Sequence, residues 1–165
     1  TLSAAWFAQP YFTSIEIPLK WFGVAWAFLN LSAGFSSMNT YRLHKKVSSN
    51  NLLFFLSGGI ALSFVCLSFT NAYLGMFCLF SIFIFRGLAT PTINNLINES
   101  TTSEKRATVL SIKSFCIRIG FAITAPILGW TADNYSLDNS FFILGITIGI
   151  CSMLASYFLY QLSKN

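Results

Sequence analysis

Residues 139–161 contain no charged side chain and are long enough to cross a bilayer, which takes about 20 apolar residues in a helix. Four further runs, 19–41, 51–70, 72–98 and 107–131, are comparably apolar, and residues 1–12 read as the end of a sixth. Only 9% of the 165 residues are charged, against about 25% in a soluble domain. The chain therefore reads as an all-α integral membrane protein, one transmembrane bundle over 1–165 with the lipid bilayer as its solvent. Arg86 and Arg118 lie well inside two of the apolar runs. A cation at that depth is costly and points by default to a transport or ligand pathway.

The loops set an orientation. Arg42, Lys45 and Lys46 occupy loop 42–50, Lys105 and Arg106 occupy loop 99–106, and Lys164 lies in the tail. Alternating helices place all six on one side. The other side has Lys20 beside Glu16, with Asp133 and Asp138. The excess of basic residues predicts that the first side, with the C-terminus, is cytoplasmic in a plasma or inner membrane. It also accounts for the net charge of +5 without nucleic acid, because the basic residues form no continuous face. His44, in the first loop, is expected as a solvated surface residue.

Local signals support these divisions. Pro18 suits the first turn of the second helix. Thr101 and Glu104 have capping-box spacing, and Asp138 is placed to cap the last helix. Pro91 and Pro126 fall inside predicted helices, as membrane helices tolerate. Residues 1–12 lack a basic start and Pro10 is expected to end the run early, which argues against a secretory signal. The chain opens inside an apolar segment without Met, so it is expected to be the downstream part of a longer polypeptide; a cleaved Met before Thr1 is the alternative. Cys66, Cys78, Cys116 and Cys151 stand singly with no metal-ligand spacing. They are expected as buried small hydrophobes, and neither a metal nor a cofactor is implied.

Polar residues are shared unevenly. Segments 51–70 and 139–161 carry no charge and read as scaffold. Gln9, Asn30, Asn39, Arg86, Asn94, Lys113 and Arg118 mark the others as lining helices, because such groups should turn from hydrocarbon toward protein or water. Lys113 is near enough to its helix end to snorkel. Arg86 and Arg118 either line a pathway or bond backbone carbonyls. All five acidic residues sit in loops or at helix ends. Neutralisation then falls to an anionic substrate, an acid from another part of the polypeptide, or carbonyl partners. Gly145, Gly149, Ser152 and Ser156 share one face of the last helix, and Ala122, Ala125 and Gly129 one face of the fifth; both read as close helix packing. Enzyme chemistry is not indicated: there is no Ser–His–Asp set, no HExxH and no phosphate-binding loop.

Three stretches together resemble the C-terminal half of a major facilitator superfamily (MFS) transporter. They are Arg86-Gly87-Leu88-Ala89-Thr90-Pro91, the loop Glu99…Arg106-Ala107-Thr108-Val109-Leu110-Ser111, and Arg118…Ala125-Pro126-Ile127-Leu128-Gly129…Asp133. The resemblance covers the whole chain, from the end of the family's seventh helix to its twelfth. It implies an MFS-like six-helix bundle with a partial first helix, built of inverted three-helix repeats, facing an N-terminal bundle that lies outside this chain. In that fold the ninth and twelfth helices are peripheral, the same partition that the polar residues give. Gly34-Phe35-Ser36-Ser37-Met38 followed by Arg42 and Lys45-Lys46 is similar to the family's cytoplasmic loop motif, with Met38 where the usual acid would be. Ala125-Pro126-x-x-Gly129 echoes the antiporter glycine–proline motif, which belongs to the other half of the molecule.

The implied function is secondary active transport of a small solute by alternating access. Arg86 and Arg118 would make substrate or counter-charge contacts, with Gln9 and Asn30 as wall residues. Arg42, Lys45, Lys46, Glu99 and Arg106 would form part of the cytoplasmic gate. The rival expectation is a truncated or stand-alone small membrane protein with a scaffold or assembly role and no transport by itself.

Overall fold

Hydrocarbon cannot satisfy backbone N–H and C=O groups, so the apolar runs must close their hydrogen bonds within themselves as helices. The computed structural model describes residues 2–45, 47–70 and 72–162, and among these the chain is helical with no strand. The helices are α1 (Leu2–Ser14), α2 (Phe22–Met38), α3 (Thr40–His44), α4 (Ser49–Leu67), α5 (Ala72–Ser100), α6 (Ser103–Asn134) and α7 (Leu137–Leu162). Among the described residues three of them, α5, α6 and α7, are long and apolar enough to cross a membrane.

Several local expectations are corrected. The run 19–41 is divided into a 3-10 turn at Leu19–Trp21, then α2 and α3. The break falls at Asn39, whose Nδ2 donates to Phe35 O at 3.0 Å, a local bond of the kind that competes with the helix ladder. Arg42 is thereby on a helix rather than in a loop, and His44 is half-buried rather than solvated. Pro10 lies inside α1, which continues to Ser14. The N-cap of α6 is Thr102, with no side-chain cap bond, so Thr101 does not form the expected capping box. Asp138 sits within the first turn of α7; Ser136 Oγ accepts the Asn139 N–H instead, at 3.1 Å.

The core forms where α5 meets α2 and α4, and where α4 meets α7. Phe12, Phe64, Phe83 and Phe141 are fully buried there. Phe141 takes the edges of Phe7 and Tyr11 at centroid separations of 5.9 and 6.0 Å. Small residues bring backbones together. A Cβ on Gly145 would lie 2.8 Å from Val65 Cγ2 and 2.9 Å from Ala61 O, and one on Gly149 would lie 3.7 Å from Ala61 Cβ. Ser152 Oγ is 2.8 Å from Ser57 Oγ. The Gly145–Gly149–Ser152 face thus lies on α4.

Helix α6 stands apart: only Leu128 and Thr131 of it are buried. Gly129 meets nothing within 4 Å and Ala122 is exposed, so the packing expected of that face is not made by the described residues. The cysteines are also corrected, since Cys66, Cys116 and Cys151 are exposed and Cys78 is half-buried, all as free thiols. The reason is general to the outer face, where Phe28, Phe35, Phe77 and Phe115 are exposed too. Lipid solvates such side chains as well as a protein core would, so apolar character does not require burial against protein.

Candidate functional site

Arg86 is fourteen residues from either end of α5, Ala72 and Ser100, or about 21 Å at 1.5 Å per residue. At about 100° per residue, Phe77, Phe80, Ile84 and Leu88 share one arc of α5, and Arg86, Thr90 and Asn94 share another, with Arg86 about 180° from Phe77. The first arc ends in exposed Phe77 and Phe80, whereas buried Gly75, Leu79 and Phe83 flank the second. Arg86 therefore points away from the surface that lipid covers.

The Arg86 guanidinium lies 5.3 Å from the Phe83 ring centroid. Among the described residues it makes no hydrogen bond or ion pair. A cation–π contact stabilises by about 0.5–2 kcal/mol and leaves the five N–H donors unfilled. Phe83 in turn meets Trp26 edge-on, at 6.0 Å and 80°, and Trp26 O accepts from Asn30 Nδ2 at 2.9 Å. Edge-on and cation–π contacts thus join Trp26, Phe83 and Arg86 across the α2–α5 seam, with Asn30 one turn beyond Trp26 on α2.

Farther along the same arc, Asn94 Oδ1 accepts from Lys113 Nζ of α6. Lys113, near enough to its helix end to snorkel, instead joins two helices that otherwise touch little. The sequence does hold a signal for this pair. Asn94 lies five residues before loop 99–106 and Lys113 seven after it, at comparable depths in the two arms of one hairpin.

Arg118 is fifteen residues from Ser103 and sixteen from Asn134, again mid-helix. It is exposed and shares an arc with Ser111, Ser114, Ala122, Ala125 and Gly129, apart from the apolar arc of Ile112, Phe115, Ile119 and Ile123. Gln9 is exposed on α1 beside Trp6, which stacks on Phe121 of α6 at 5.9 Å and 27°. No contact joins Gln9 or Arg118 to Arg86 among the described residues. A cavity of about 450 Å³ separates α6 from the bundle. Most of its hydroxyls are already bonded, Thr124 to Gly120 O, Thr147 to Ile143 O, and Ser57 to Ser152; Ser3, which also lines it, is the exception among the described residues.

The basic residues gather at one end. Thr40, His44 and Lys45 face Asn95 and Glu99 across a groove of about 490 Å³. Lys45 Nζ stands 4.8 Å from the Tyr41 ring centroid, and Glu99 Oε1 accepts from Asn95 Nδ2 at 2.7 Å. Arg106 Nη2 donates to Asn98 O at 3.3 Å, while its Nε is buried without a hydrogen-bond partner. Arg42 lines a different cleft, between α2 and α5. Lys46 lies outside the described residues.

The Major Facilitator Superfamily model matches residues 4–165. The chain belongs to that family. No curated protein and no solved structure matches it significantly. As an MFS chain it is an integral membrane protein of a family of transporters, not of enzymes. Among the described residues there is no cluster of His, Cys, Asp and Glu that could hold a metal.

Proposed function

We propose that this chain is most of the C-terminal bundle of a secondary active transporter, which moves a small anionic solute by rocking against an N-terminal bundle. The observation that carries this reading is Arg86, half-buried at the centre of α5, turned from the lipid arc and, among the described residues, lacking a counter-ion. A cation held there without an acid has its strongest partner in a solute that brings the negative charge. Asn30 flanks it as a neutral hydrogen-bonding wall, and Lys113–Asn94 extends the polar arc toward the basic end. Arg118 and Gln9, both exposed, would face the same pathway from α6 and α1.

Alternating access needs a rim that closes on each side in turn. Lys45, Glu99 and Arg106 lie at the basic end, where they would meet the opposing bundle when that end shuts. Positive-inside bias makes this end, with the C-terminus, cytoplasmic. Proteoliposomes holding the full-length polypeptide should accumulate a small carboxylate or phosphate ester when an ion gradient is imposed, and a neutral solute of equal size should not compete. Equal competition by the neutral solute would contradict the anionic reading.

A further inference from the structure

The α2–α5 seam has a second flank, turned away from Arg86. Phe35 of α2 and Phe80, Ile84 and Leu88 of α5 enclose a cleft of about 470 Å³, which Ser32 and Arg42 also line. Its polar groups are already used. Ser36 Oγ lies 3.0 Å from Ile84 O and 2.9 Å from Ala33 O, and Asn39 Nδ2 is bonded to Phe35 O. Arg42 is the exception: it is exposed, and among the described residues its side chain has no hydrogen bond or ion pair. The cleft is thus lined mainly by carbon, with one unneutralised guanidinium at its basic end.

Its length fits one leaflet. Phe80 to Leu88 is eight residues of unbroken α5, about 12 Å of helix and somewhat under half of a hydrocarbon core about 30 Å thick. A second apolar cleft continues from Phe80 past Phe28 to Trp21 and has no charged side chain on its walls.

We propose that the Arg42 cleft holds one anionic phospholipid of the leaflet at the basic end. An acyl chain lies along Phe35, Phe80, Ile84 and Leu88, and the phosphate meets the Arg42 guanidinium. The planar fork of arginine matches two phosphate oxygens at once, and basic pockets between membrane helices select anionic headgroups. A phospholipid supplies both the chain and the anion that the cleft lacks. Inorganic phosphate supplies only the anion, and a zwitterionic lipid carries its own cation beside the phosphate.

The test is native mass spectrometry of the delipidated protein, incubated with equal amounts of phosphatidylglycerol and phosphatidylcholine bearing the same chains. Phosphatidylglycerol should be retained about 5-fold in preference. Arg42→Gln should erase the preference, while Lys20→Gln at the opposite end should leave it intact. Ile84→Trp, which fills the cleft without touching the charge, should lower retention of both lipids. Millimolar inorganic phosphate should displace neither. Equal retention by the unaltered protein, a preference that survives Arg42→Gln, or displacement by phosphate would each overturn the proposal.

Discussion

Replacing Arg86 with alanine will lower solute uptake by the full-length polypeptide about 10- to 100-fold, with no change in its level in the membrane. The magnitude follows from the hydrogen bonds a charged group makes to a bound anion, about 1.5–3 kcal/mol, with each 1.4 kcal/mol worth about tenfold. The unchanged level follows from what the fold loses. The Arg86 side chain touches the Phe83 ring and, among the described residues, its guanidinium has no hydrogen-bond partner. Its removal therefore sacrifices one cation–π contact and, among the described residues, no ion pair. Arg86→Lys keeps the charge but loses the planar fork, so its uptake should fall between the two. Initial rates normalised to immunoblotted protein provide the comparison, and uptake equal to the unaltered protein would remove Arg86 from the pathway.

Gly87, the next residue, should give the largest loss of stability. A Cβ there would collide with Ala33 O and Ser36 Oγ across the α2–α5 seam. A backbone carbonyl cannot rotate aside, so the helices must separate, and the bond from Ser36 Oγ to Ile84 O stretches with them. Overpacking of this kind costs about 1–3 kcal/mol. Close approach of backbones is also what holds helices together in lipid. Gly87→Val should lower the melting temperature in detergent by about 5 °C or more. Gly34→Val, on the exposed face of α2 away from the seam with nothing within 4 Å, should change it little. Equal losses at the two glycines would show that the seam is not the weak point.

Much of the architecture could be read from the one-dimensional pattern. Apolar runs became helices, although the run 19–41 is divided into a 3-10 turn, α2 and α3. What escaped was set by neighbours. Helix α2 ends at Asn39 without any Gly or Pro there; the Asn39 N–H slips to Ser36 O at 3.0 Å, which the pattern does not display. Gly129 was marked for packing by its spacing and stands in open space, whereas Gly87 touches backbone. Spacing shows that a face is smooth, not that another helix lies on it. Ala33 and Ser36, small residues three apart on α2, were the matching half of the Gly87 contact. The free thiols were misplaced because lipid and protein interior favour the same side chains. The Lys113–Asn94 bond joins two helices and becomes visible only when the arms of the α5–α6 hairpin are laid side by side.

The central claim is that lipid covers one arc of α5 while water reaches the arc that bears Arg86. Thr90 and Phe80 test it most directly, because both are exposed in the chain and lie on different arcs of one helix. With Cys66, Cys78, Cys116 and Cys151 replaced by alanine, Thr90→Cys and Phe80→Cys should be compared for labelling by a water-soluble maleimide in intact membranes. Labelling at position 90 with protection at position 80 is the result expected. Equal labelling at the two positions, or labelling at 80 alone, would contradict it.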